Sequence, residues 1–122
     1  MSTHEIRLTI EIADETAQAV LEAAMYGGSN YWADFADIVR DDNKELISMA
    51  VLPHDADDYH YVDLNGIRRG MIQASAADKG LNPGIRNDVR SLLFSGADSV
   101  DWDAETADVI LQFSLFGELV YG

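Results

Sequence analysis

The sequence predicts an α+β fold: a small three-stranded, mainly antiparallel sheet with about four helices, in the order β-α-β-β-α-α-α, over a single domain of residues 1–122. Three observations carry this. Strict alternation marks the first segment, and a polar turn sits between two strand-like runs. After residue 60 the apolar residues recur at helical spacing. The 122 residues suit one domain, and a hydrophobic content of 48% is enough for a core without disulfides, which the lack of cysteine rules out.

From Glu5 to Ile12 the residues Ile6, Leu8, Ile10 and Ile12 alternate with Glu5, Arg7, Thr9 and Glu11, the pattern of a half-buried strand. Asp14 is placed to cap a helix with Glu15 in its first turn, and Ala17, Val20, Leu21, Ala24 and Met25 form its apolar stripe. Gly27 is expected to end that helix in the left-handed conformation, with Gly28, Ser29 and Asn30 as the turn. Tyr31 to Arg40 and Glu45 to Leu52 read as a hairpin closed by Asp41–Lys44. The stretch PHDADDYH is a loop, and Tyr61–Val62 either extends a strand or leads into a helix.

Asp63 caps the next helix, along which Leu64, Ile67, Met71 and Ile72 align. Gly66 and Gly70 permit close packing, and Gly80 ends it. Asn82–Pro83 restarts the chain as N-cap and first helical residue. The following stripe is Ile85, Val89, Leu92 and Leu93, closed by Gly96. Asp103 caps a last helix running to about Tyr121, apolar nearly all round and so expected at the centre of the core.

The segments GGSNYWA, YVDLNGIRRGM and DAETADVILQFSLFGELVYG resemble a group of small acidic proteins encoded by tailed phages and prophages. The matching positions are Gly27, Gly28, Tyr31, Trp32, Asp63, Gly70, Asp103, Ala104, Asp108, Gln112, Phe116, Gly117 and Glu118. The resemblance implies a phage origin. It carries over no catalytic residue.

Charge limits the choice of partner. Asp and Glu number 22 against 8 Lys and Arg, a net of −14, which repels phosphate backbones and anionic lipid. Direct nucleic-acid binding is not expected, and no apolar run is long enough to span a bilayer. The N-terminal residues lack the pattern of a signal peptide, so the expectation is a protein of the host-cell cytoplasm. Acidity serves solubility, a salt-adapted host, or a basic partner.

The hairpin's open end brings GGSNYW towards PHDADDYH, because the start of one strand pairs with the end of the other. Tyr31, Trp32, Asp55, Asp57 and Asp58 are therefore the candidate partner contacts. The aromatic pair serves either as an exposed anchor or, as is commoner, packs against the first and last helices. His54 and His60 with the nearby Asp residues offer metal-ligand chemistry. Their spacing matches neither a helical zinc pair nor an EF-hand, which favours a solvated acidic loop.

Ser29 and Ser48 lack a nucleophile-elbow context, and Asp34 and Asp37 fall on opposite faces of their strand. Asp108 and Gln112, one helical turn apart, read as partly buried polar groups: a proton carrier or, more commonly, a structural hydrogen-bonding pair. No cofactor is implied. The expected function is that of an accessory protein binding a basic macromolecule, sharpest as an anti-CRISPR or antirestriction inhibitor that mimics nucleic acid. The alternatives are a metal-dependent enzyme on the His54–His60 loop and an oligomeric phage structural or assembly component.

Overall fold

The computed structural model describes residues 11–77, 80–97 and 102–122. In chain order the elements are helix α1 (Asp14–Ala23), a π-helical turn (Ala24–Gly28), strands β1 (Ala33–Arg40), β2 (Leu46–Pro53) and β3 (His60–Asp63), and helices α2 (Leu64–Ser75), α3 (Pro83–Ser95) and α4 (Ala104–Phe116). The fold is the expected α+β, with a three-stranded antiparallel sheet in the order β1-β2-β3 and four α-helices. Among the described residues a helix comes first. The strand expected over Glu5–Ile12 lies almost wholly outside them.

The third strand of the sheet is β3, which pairs Val51 with His60 and Ser48 with Asp63. Four residues are too few for alternation to announce a strand. In β1, Ala36 pairs with Ala50 and Val39 with Ser48, so Asp37 and Ile38 together oppose one residue of β2. This is a β-bulge, and Asp37 takes a positive φ of 49° to make it. The Asp41 carboxylate accepts the backbone N–H groups of Asn43 and Glu45, which fixes the hairpin turn.

The local caps follow the sequence. Asp63 accepts from the Gly66 N–H, Asn82 from Gly84 and Asp103 from Thr106. Asp14 is different: it is the first residue of α1, Ala13 is the N-cap, and no side chain caps the helix. The Asp14 carboxylate bonds Arg68 instead.

Gly27 does not stop α1. The helix widens into a π turn through Gly28, and neither glycine adopts a positive φ. The structural demand falls on Gly28, where a Cβ would lie 2.4 Å from the Ala104 carbonyl oxygen at the start of α4. Gly70 serves the same purpose between α2 and α4: a Cβ there would meet Ser114 Oγ at 2.1 Å and the Ile110 carbonyl oxygen at 2.5 Å.

Helix α4 is the core element, buried without interruption from Thr106 to Phe113. It packs on α1, the π turn, α2, α3 and β3. It stops at Phe116 rather than near Tyr121, because Gly117 takes the left-handed conformation at φ 73°. Residues 118–122 then fold back along the helix. Ile72, expected on the apolar stripe of α2, is 54% exposed, whereas Ile67, Met71 and Ala74 carry the buried face.

Candidate functional site

The open end of the hairpin is built as the strand pairing required. The His54 N–H donates to the Trp32 carbonyl at 2.8 Å, which extends the β1–β2 ladder and brings the two loops together. The resulting surface depression, about 450 Å³, is lined by Tyr31, Trp32, His54, Asp55, Tyr121 and Gly122.

Its frame is a buried carboxylate. Asp108, 5% exposed, projects from α4 towards the chain that follows the π turn. Oδ1 accepts from Ser29 Oγ and Trp32 Nε1, each at 2.7 Å. Oδ2 accepts from the Tyr31 hydroxyl at 2.7 Å and Gln112 Nε2 at 3.1 Å. Both oxygens are thus fully used by neutral donors, and among the described residues no cation pairs with Asp108. A carboxylate so saturated has no lone pair left to take a substrate proton, so its chemistry is that of a lock.

Gln112 extends the lock to the tail. Its Oε1 accepts the backbone N–H groups of Val120 and Tyr121, both at 2.9 Å, and its Nε2 donates to the Tyr121 carbonyl at 3.1 Å. The tail then places the Tyr121 ring parallel to Trp32, and the Tyr121 hydroxyl donates to Asp55 at 2.6 Å. Tyr31 presents much of its ring to solvent, at 56% exposure, while its hydroxyl turns in to Asp108. Desolvation of that hydroxyl, reinforced by the Asp108 bond, pushes its pKa up to about 12. The hydrogen bond to Asp55 likewise raises that of Tyr121.

A larger cleft of about 650 Å³ opens beyond Tyr31, where the π turn, the start of α3, the start of α4 and the tail converge. Leu81, Ile85, Val109 and Leu119 supply apolar lining, with Glu105 and Asn82 among its polar groups.

No family model matches the chain. No curated protein and no solved structure matches it either.

The candidate contacts fall into two groups. Tyr31, Asp55, Asp57 and Asp58 are exposed. Trp32 is not: at 3% exposure it is held between Phe116 and Tyr121, so it supports the surface rather than forming it. His54 faces Asp34 at 3.4 Å, and the His60 ring packs edge-on against Phe116 at 5.2 Å. The two histidines therefore have separate partners. Among the described residues no three His, Cys, Asp or Glu side chains gather as a metal site. Likewise, no described helix is long and apolar enough to cross a membrane.

Ser29 and Tyr121 were not legible as members of the site. The signal available was the i, i+4 pair Asp108 and Gln112 on an otherwise apolar helix. Tyr31, Trp32, Asp108, Gln112 and Phe116 meet in this one network.

Proposed function

We propose that the protein is a non-enzymatic binding protein that engages a basic macromolecular surface through the open end of the hairpin. One observation carries the reading. Exposed Tyr31, its hydroxyl bonded to Asp108, lines one depression with the exposed Asp55, and the exposed carboxylates of Asp57 and Asp58 follow in the same loop. Tyrosine supplies contact area at low entropic cost, and clustered carboxylates steer a cationic partner. A preset frame reduces the ordering penalty of association.

The phage-protein resemblance gives such a partner a setting: a nucleic-acid-handling defence protein of the host, whose basic groove the carboxylates would occupy in place of phosphates. The net charge of −14 supports this mimicry and disfavours direct contact with nucleic acid.

The test is capture of host proteins on the immobilised chain at low and raised salt. It is repeated with Asp55, Asp57 and Asp58 changed to Asn. A control removes three exposed charges elsewhere, through Asp42→Asn, Glu105→Gln and Glu118→Gln. The reading expects salt-sensitive capture that the first variant loses and the control keeps. Equal loss from both would leave only diffuse charge, and capture that survives high salt in all three would point to an apolar interface.

A further inference from the structure

The depression at the open end of the hairpin has a chemistry of its own. It is lined by Tyr31, Trp32, His54, Asp55, Tyr121 and Gly122, and its volume of about 450 Å³ falls within the range of ligand pockets. We propose that it holds the methylated ammonium head of a trimethyllysine side chain, with the aromatic rings against the methyl groups and Asp55 as the counter-charge.

The polar atoms of the lining side chains are turned into the frame. The Tyr31 hydroxyl donates to Asp108 Oδ2 and the Trp32 indole N–H to Asp108 Oδ1, both at 2.7 Å. The Tyr121 hydroxyl donates to Asp55 Oδ1 at 2.6 Å. His54 Nε2 faces the Asp34 carboxylate at 3.4 Å, and since an ionised carboxylate only accepts, the imidazole proton sits on Nε2. Among the lining side chains this leaves Asp55 Oδ2 and His54 Nδ1 without a partner in the described residues, and both are acceptors. No Lys or Arg lines the depression. A ligand therefore meets ring carbon, lone pairs and one negative charge. That repels an anion, offers an acceptor-rich ligand no side-chain donor, and attracts a cation.

The kind of cation follows from the small number of acceptors. A guanidinium brings five N–H donors and an ammonium three, which would leave water for two separate lone-pair sites. A trimethylammonium carries the same charge with no N–H to satisfy, and its methyl coat suits the face of an aromatic ring. Tyr31, 56% exposed, and the half-buried Tyr121 supply such rings, backed by the buried Trp32. Gln112 Nε2 donates to both the Tyr31 hydroxyl and the Tyr121 carbonyl, which sets the two tyrosines beside each other.

The assignment rests on the proposed binding of a basic partner and names what that partner presents at the open end. The two fail separately, because host-protein capture reads any partner, whereas defined peptides read the depression alone.

The experiment titrates isotope-labelled protein with the capped peptide Ala-trimethyllysine-Ala and follows it by NMR. The expected result is saturable binding, with shifts at the Trp32 indole N–H and the backbone amides of Tyr31, Asp55 and Tyr121. Ring currents should move the ligand N-methyl signal upfield. The unmodified lysine peptide and the arginine peptide should bind about fivefold more weakly or worse, as should the neutral tert-butyl isostere, which keeps the shape and loses the charge. Asp55→Asn, at an exposed position, should weaken binding about threefold. Tyr31→Leu should weaken it at least as much, and Asp42→Asn at the closed end of the hairpin should leave it unchanged. Free tetramethylammonium should compete only at far higher concentration than the peptide. Equal affinity for the lysine peptide or the isostere, an N-methyl signal that does not move, or unchanged affinity in Asp55→Asn would each overturn the proposal. Competition by tetramethylammonium at the peptide's own concentration would overturn the lysine assignment in favour of a free quaternary amine.

Discussion

The Tyr121 ring lies flat against the Trp32 indole, with centroids 4.6 Å apart and planes 9° from parallel. The tail thereby shields an indole that would otherwise face solvent. Tyr121→Ala should uncover Trp32 and shift its emission to the red, read most cleanly with Trp102 changed to Phe. Tyr121→Phe keeps the stack and loses only the exposed bond to Asp55, so it should cost less than about 1 kcal/mol. Unchanged emission in the alanine variant would show that the tail does not cover the ring.

Asp108→Ala removes the common acceptor of Ser29, Tyr31, Trp32 and Gln112, three of which are fully or nearly fully buried. Stranded buried donors cost about 1–3 kcal/mol each, less where water enters, so the variant should lose roughly 2–5 kcal/mol. Asp108→Asn fits the space but aims an amide donor at donors, and it should also lose more than about 1 kcal/mol. Urea unfolding measures both, and a loss below about 1 kcal/mol for the alanine variant would remove the lock from the description.

Tyr31 sets an alkaline limit. Its hydroxyl ionises near 10 when unfolded and at about 12 in the fold. Below about pH 10 both states keep the proton, and the contribution is fully present. As pH rises from about 10 to 12 the unfolded chain releases the proton first, so stability falls. Thermal melts across this range should decline more steeply for the parent protein than for Tyr31→Phe. Parallel declines would mean that the hydroxyl is not held against Asp108.

Two glycines should respond in opposite directions. Gly70→Ala forces a methyl into the Ser114 and Ile110 backbone and should destabilise by about 2 kcal/mol or more. Gly27 has nothing within 4 Å of a Cβ and no positive φ, so Gly27→Ala should be neutral or stabilising by up to about 1 kcal/mol. Similar losses at both sites would contradict the close α2–α4 crossing.

The legible features were those decided within a few residues of chain. Caps at Asp63, Asn82 and Asp103, the proline at position 83, the Asp41 turn and the stop at Gly96 each depend on local geometry, and each stands in the structure. The features that could not be read depend on distant partners. The role of Gly28 is set by Ala104, and the burial of Trp32 by Phe116 and Tyr121. Gly117 is a local stop, but the apolar run Leu119–Tyr121 beyond it resembled more helix when it is in fact a strand-free tail packed back on the core. Asp108 was recognisable as a buried polar group, yet three of its four donors come from a segment more than seventy positions earlier.

The bulge at Asp37 bears on how the molecule behaves in concentrated solution. Among the described residues β1 has no neighbour on its outer side, and it includes the half-exposed apolar residues Ile38 and Val39. A straight strand with that composition would be a template on which further chains could add and grow into fibrils. The kink at Asp37 breaks the row of outward N–H and C=O groups after four residues, leaving no continuous ladder for an incoming strand to follow. The same residue that distorts the hairpin therefore makes the described β1 edge a poor template for a further strand.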